Sequence, residues 1–529
     1  MFHHKFNIER WTLAVGQGLF HYEEIWFNDV SRPLTIVYDA GTFNKSGRDS
    51  VAGTSVNFVI NRLKKYGRSC LDYLVLSHYH LDHFSLINKL IDHIHINYFI
   101  APLLTPEENY FEIINTLINW GESDYELLQD SDAVNLAQGL INEGTQGFIH
   151  SLLNGHNNKH NSGNPPINDE PVEQLDYHNE PTCLFITASG REINGEYENV
   201  LLQTFPRNEK SSKASHQIPD NEPIVIRSEQ NKQQLWILAF YYYKPKSNNF
   251  RLNTKYLDQL RSDIRSISEN KNGNSAISFK DIIDHFLYST LQIPQDSQKK
   301  KKQRIKEIFG DSDMNMSSLC MYSGPYQPTS SFVVKGLNSR DLYSRSHFFY
   351  KVSTFPYEIS NLVSTNRGPS FKMLDGTHTE SLDISFRETE ESKKTREKIL
   401  HATYNWKPIE IRKSSDRRSI YWAWLGLGDI NFSTETVTTD FINHFGKLLE
   451  LVGCCNAPHH GSYNGFQDST VPKKLSSSIC VISCDPNYKY HHPHSEAIAS
   501  MLEGGMIPIL IDERRKATFH ESIIWFDCD

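Results

Sequence analysis

No uninterrupted apolar run in the chain reaches the ~18 residues that a membrane-spanning helix requires. Hydrophobic residues fill only 38% of its 529 positions, and the mean hydropathy is −0.51. The N-terminal MFHHKFNIERW lacks the charged-then-apolar order of a secretion signal, so a cytoplasmic location with no membrane partner is expected. No CxxC pair occurs among the eight cysteines, at 70, 183, 320, 454, 455, 480, 484 and 528. That argues against a cysteine zinc site and a disulfide framework and leaves free buried thiols. Positive charge is short as well: 54 Lys and Arg stand against 63 Asp and Glu, a net −9. A surface coated with basic groups for long duplex DNA is therefore not expected, although a local basic groove is compatible with the balance.

Histidine is plentiful, with 24 residues, and its densest motif lies in LDYLVLSHYHLDHFSLINKLIDHI at 71–94. The apolar run at 73–76 has the length and content of a fully buried strand. It stops at Ser77, and His78, His80, Asp82 and His83 follow within six residues. Phe84, Ile87, Leu90, Ile91 and Ile94 then recur at helical spacing, which puts the four donors on a strand-to-helix turn. Residues two apart on extended backbone project to one side, so His78 and His80 can grip one ion. Asp82 and His83, where the chain bends into the helix, suit a second ion nearby. Three imidazoles and a carboxylate fit borderline divalent metals such as zinc or manganese. The plain alternative is a His-rich surface turn, but a surface turn needs neither a buried strand before it nor an amphipathic helix after it.

Core-like segments alternate with long polar ones around this stretch. Strands are expected at 11–15, 21–27, 34–38 and 96–102, with a helix at 56–66; the third strand runs into Asp39-Ala40-Gly41-Thr42. The 104–197 stretch reads as an insertion, with helical pieces at 107–120 and 133–153. An Asn-, Gly- and Pro-rich tract at 154–171 reads as a loop. A core strand at 198–206 precedes a second insertion, 207–312. That insertion holds a hydrophobic strand at 234–242, a helical stretch at 253–309 and the basic run at 299–304, which is either a phosphate contact or a solvated helix face. A core strand within 313–329 and a third insertion at 330–415 follow. Residues 416–529 supply strands at 420–427, 452–457, 478–483, 507–511 and 523–526 and helices at 441–451 and 496–502. Residues 1–103 and 416–529 thus read as two halves of one α/β core. The insertions at 104–197 and 207–415 are placed to wall a cleft or to recruit a protein partner.

Several separated motifs carry a resemblance. HYHLDH (His78 to His83) has the HxHxDH pattern of the metallo-β-lactamase fold. With VGQG (Val15 to Gly18), LGLGDI (Leu425 to Ile430), APHHGS (Ala457 to Ser462), YHHPHSEAI (Tyr490 to Ile498) and NMSSL (Asn315 to Leu319), it resembles the soluble hydrolase domain of bacterial ComEC-type DNA-uptake proteins. The resemblance covers about half of the chain. It implies an αββα sandwich and two divalent ions, zinc or manganese, held by His78, His80, Asp82, His83, Asp429 and His460. Asp429 corresponds to the bridging carboxylate, since two like-charged ions about 3.5–4 Å apart require a shared anion. Asp39 corresponds to a group that orients the His cluster from behind.

The same resemblance implies catalytic roles for Asp82, His459 and His492. Asp82 would hold a proton of the metal-activated water, and His459 would contact the phosphate. His492 would stabilise or protonate the leaving oxygen, the alternative being a structural imidazole. The implied activity is phosphodiester hydrolysis, as a nuclease on DNA or RNA or on a nucleotide. Other readings are a small-molecule or cyclic-nucleotide phosphodiesterase, a lactone hydrolase, and a partner-recruiting module with a structural metal site. Two departures stand out: Asn315 occupies the place of a further ligand His, and His491 replaces the glycine before HPH.

Overall fold

The computed structural model describes residues 2–27, 30–43, 53–104, 145–149, 152–153, 181–189, 201–205, 215–229, 234–243, 262, 318–325, 346–354, 358–361, 370–372, 423–476, 478–485, 488, 490–512 and 518–528. In chain order the first half gives β1 (Phe2–Thr12), β2 (Phe20–Phe27), β3 (Leu34–Ala40), α1 (Gly53–Lys65) and β4 (Cys70–Val75), then α2 (Leu81–Phe84), α3 (Ile87–Ile91) and β5 (His95–Pro102). The middle of the chain adds β6 (Thr182–Thr187), β7 (Leu201–Phe205), β8 (Ser215–Pro219), β9 (Ile224–Ser228), β10 (Gln234–Tyr242) and β11 (Leu319–Pro325). Further on come β12 (Ser346–Thr354), β13 (Glu358–Asn361), β14 (Ser370–Lys372) and β15 (Ala423–Gly426). The last part holds α4 (Glu435–Phe445), β16 (Val452–Asn456), α5 (Thr470–Lys474), β17 (Ile479–Ser483), α6 (Ser495–Glu503), β18 (Ile507–Ile511) and β19 (Phe519–Cys528).

These strands form two mixed sheets, ordered β12-β19-β1-β2-β3-β4-β5-β6-β8 and β14-β13-β18-β17-β16-β15-β11-β10-β9-β7. The sheets meet face to face. Tyr22, Ile36 and Tyr38 of the first share one buried cluster with Trp236, Trp424 and Val481 of the second. The Tyr38 hydroxyl donates across the gap to the Leu319 carbonyl at 2.7 Å, and His21 stacks on Trp424 with ring centroids 3.8 Å apart. All seven residues of β3 are buried, as a strand covered on both faces requires, so LTIVYDA reads as a nearly continuous apolar run. α4, α5 and α6 cover the outer face of the second sheet through Val437, Phe441, Val471 and Ile498, in a second apolar cluster. In α1 the buried Val56, Val59, Ile60 and Leu63 recur at helical spacing.

Several expectations need correction. The single helix expected after the HxHxDH segment is broken into α2 and α3 at Ser85–Leu86. There Ser85 Oγ accepts from the Thr42 N–H at 2.9 Å and donates to the Thr42 carbonyl at 3.1 Å. The Leu86 N–H donates to the Ala40 carbonyl at 2.9 Å. These ties to the chain after β3 override the helical periodicity. Strands not expected from the sequence also appear: β6 pairs in parallel with β5, β8 in parallel with β6, and β9 antiparallel with β10, the strand expected at 234–242. Their apolar runs are short (TCLFIT, IVIRS) and flanked by polar tracts, so average composition hides them. The expected features at 107–120, 154–171, 253–309 and 299–304, and Asn315, lie outside the described residues, as does most of 133–153.

A buried ionic group joins the two sheets away from the His-rich turn. Arg10 Nε donates to Glu23 at 2.7 Å and Nη1 to Glu521 at 3.2 Å, while Ser323 Oγ, on β11, donates to Glu23 at 2.6 Å. Arg10, Glu23 and Glu521 are each 0% exposed. Removing the cation leaves carboxylates buried against each other, a class of change that costs about 3–5 kcal/mol. Arg10→Met is therefore expected to lower the urea midpoint clearly; an unchanged midpoint would show that the pair carries no stability.

Candidate metal centre

The expected donors gather where strands end. β3 and β4 run parallel, as do β15, β16 and β17, so their C-terminal ends lie side by side, where sheets of this kind place ligands. β3 ends in Asp39-Ala40, β4 runs into Ser77-His78, β15 into Gly428-Asp429 and β16 into His459-His460. From these ends come two donor groups, each with its atoms within 4.8 Å of one another: Asp82, His83, Asp429 and His460, and His78, His80 and Asp429. Asp429 belongs to both. All six residues are buried, with His80 the least so at 9% exposure.

Hydrogen bonds on the far side of each ring decide which nitrogen faces inward. The His460 ring Nδ1 meets the Ser483 carbonyl at 2.9 Å; a carbonyl only accepts, so Nδ1 carries the proton and the Nε2 lone pair faces Asp82 and Asp429. His83 Nδ1 lies 2.8 Å from Asp39 Oδ2 and donates to it. Ser77 Oγ gives its one proton to Asp39 Oδ2 at 2.7 Å, so at 2.9 Å from His78 Nδ1 it acts as acceptor. His78 and His83 therefore also turn Nε2 toward Asp429, at 3.6 and 3.1 Å. This is how outer partners fix the tautomer of metal-ligating histidines.

Asp39 is fully buried and sits at φ 55°, a left-handed conformation that Asp tolerates better than most residues. Behind it, Gly41 leaves no room for a side chain. A Cβ there would run into the backbone of Asp82 and His83, and backbone does not yield cheaply.

The pKa shifts follow from this crowding. Burial works to lower the His83 pKa, but the carboxylates of Asp429, Asp39 and Asp82 outweigh it and the net shift is well upward. Burial would raise Asp429, yet His459, His83, His78 and His460 hold it well below the usual carboxylate range. For His78, burial and the neighbouring His83 and His80 act together and push it well down, toward the neutral imidazole that ligates metals.

Among the described residues, His78 Nε2, Asp82 Oδ1, His83 Nε2 and Asp429 Oδ1 are buried without a hydrogen-bond partner. Asp82, His83 and Asp429 belong to one donor group and His78 and Asp429 to the other, so divalent cations bound there would satisfy these atoms.

The turn at 458–461 is tight, and within it His459 and His460 both have positive φ, 47° and 55°. The left-handed backbone separates their rings. His460 Nε2 reaches Asp82 at 3.0 Å, while the His459 side chain stays 28% exposed, with Nε2 3.7 Å from Asp429. His492 is buried beside this turn, its ring centroid 5.3 Å from that of His459. His491, in the place of the resemblance's glycine, has φ 53°, the region glycine enters without strain.

Sequence reasoning missed Ser318. Its Oγ accepts from the Asp429 N–H at 2.9 Å and lies 3.2 Å from His78 Nδ1, tying β11 to both donor groups. Ser318 lies within the NMSSL motif, three residues after Asn315.

The fold and these buried donors are consistent with a metal-dependent hydrolase. Residues 34–160 match the family model described as "Metallo-beta-lactamase superfamily", and the two mixed sheets are those of that fold. No curated protein matches the chain significantly. The matched span contains Asp39 and the HxHxDH segment; Asp429, His459 and His460 lie outside it and join the site through the fold.

Asp39→Asn tests the supporting hydrogen bonds. It keeps the shape but removes the charge that accepts from His83, and is expected to weaken divalent-metal binding by about 10–100-fold with the circular-dichroism spectrum unchanged. Unaltered affinity by calorimetry would remove Asp39 from the site's construction.

Proposed function

We propose that the chain is a phosphodiester hydrolase that uses two divalent cations and acts on nucleic acid or nucleotides. The observation that carries this reading is the sharing of Asp429 by two donor groups beside a part-exposed His459. A single structural ion has no use for a second donor group around the same carboxylate. His78 and His80 with Asp429 would hold one cation, and Asp82, His83 and His460 with Asp429 the other. Bound there, the cations would supply Lewis-acid polarisation of a phosphoryl oxygen and a lowered pKa for water.

The chain's own groups do the rest. Asp82 Oδ2 lies 3.0 Å from His460 Nε2, and Oδ1 has no hydrogen-bond partner among the described residues, where it can take a proton of the attacking water. His459 is placed to hydrogen-bond a phosphoryl oxygen as charge grows on it. Asp39 and Ser77 hold the His83 and His78 rings in register. The likeness of the GD and HHGS segments to ComEC-type hydrolases supports a phosphodiester substrate over a lactone.

The purified protein, supplied with manganese or zinc, is expected to cleave at least one of single-stranded DNA, duplex DNA, RNA or a cyclic nucleotide. Asp429→Asn should lower that rate by about 10³-fold, the factor produced by about 4 kcal/mol of lost transition-state stabilisation. Hydrolysis of a lactone panel alone would overturn the phosphodiester reading, and equal rates in the variant would overturn the site.

A further inference from the structure

The turn between β1 and β2 connects the donor segment to the loop after β17. The Leu19 N–H donates to the Asp82 carbonyl at 3.0 Å, and the Phe43 N–H to the Gln17 carbonyl at 2.7 Å. Ser483 Oγ donates to the Gly16 carbonyl at 3.4 Å. Within this turn Gln17 is 1% exposed, and its side-chain amide has two hydrogen-bond neighbours of different kinds. The Asp485 backbone N–H meets Oε1 at 3.5 Å, and His492 Nδ1 meets Nε2 at 3.4 Å. A backbone N–H only donates, so the amide oxygen belongs on that side and the NH₂ belongs toward His492. An NH₂ facing a ring nitrogen requires that nitrogen to accept. The ring then carries its single proton on Nε2.

This is the reverse of His460 and His83, whose Nδ1 carries the proton and whose Nε2 offers a lone pair. The His492 ring makes no other hydrogen bond among the described residues, and it sits beside His459 and His460, at centroid distances of 5.3 and 6.3 Å. We propose that Gln17 is a positioning residue that holds His492 as the neutral Nε2–H tautomer, so that His492 offers the substrate a hydrogen-bond donor and neither a metal ligand nor a transferable proton. The substrate-facing part rests on the hydrolase reading above; the tautomer does not. Of the roles that the sequence leaves open to His492, stabilising the leaving oxygen remains and protonating it does not.

The test is read on the full-length, metal-free protein labelled with ¹⁵N-histidine, the His492 signals being assigned by their loss in His492→Asn. Near neutral pH, Nδ1 is expected in the unprotonated range and Nε2 in the protonated range. Gln17→Glu replaces the donor with an acceptor, so His492 should gain a proton on Nδ1 and titrate about 1 pH unit or more higher. Gln17→Leu, which offers neither, should leave a mixture of tautomers. A wild-type ring protonated at Nδ1, or fully protonated at neutral pH, overturns the proposal whether or not the variants fold. A protein with the expected spectrum that hydrolyses no phosphodiester overturns the hydrolase reading and leaves the tautomer lock standing. One that hydrolyses phosphodiesters with His492 protonated at Nδ1 overturns the lock alone.

Discussion

Two carboxylates, Asp82 and Asp429, are buried within reach of each other, both lying close to His460. Anions in such a place are costly unless paired, and the imidazoles of His78, His83, His459 and His460 supply the pairing for Asp429. The whole arrangement is organised by that constraint. His83, His78, the Asp429 backbone and His460 are held from behind by Asp39, Ser77, Ser318 and the Ser483 carbonyl in turn. A divalent cation satisfies in one step what protons on the imidazoles satisfy only in part, because a ligand must shed its proton to bind.

The sheets make this constraint affordable in conformational terms. Parallel strands end at one edge, so residues hundreds of positions apart arrive together with little loop between strand and donor. Gly41 and Gly428 stand at close approaches beside the donors. The first admits the Asp82–His83 backbone, and the second, at φ 51°, lies against Ser77 and Ser318. The Arg10–Glu23–Glu521 group lies between β1, β2 and β19, on the sheet that also carries Asp39 and His78, and holds those strands to β11 through Ser323.

Much of this was legible in the sequence because ligand chemistry demands particular residue types at short spacing. HxHxDH after YLVL announced both a strand end and a donor turn, and LGLGDI did the same for Asp429. The edges of the sheets were harder to read. β6 and β9 are brief runs inside polar stretches, and pairing with β5 and β10 decides them, which no local pattern encodes. The break between α2 and α3 was hidden for the same reason: Ser85 is an ordinary helix residue until Thr42 comes within hydrogen-bonding distance. The left-handed turn at His459 and His460 was also invisible, since neither residue advertises positive φ. Ser318 and Gln17 lay inside recognised motifs, but their tasks depend on polarity at a partner atom that only the folded chain reveals.

The central claim is that Asp429 stands between two cation positions. Crystals grown with manganese or zinc and measured by anomalous diffraction at the metal edge address it directly. Two anomalous peaks are expected, one beside His78 and His80 and the other beside Asp82, His83 and His460, both within coordination distance of Asp429. A single peak, or two that leave Asp429 uncoordinated, would contradict the account.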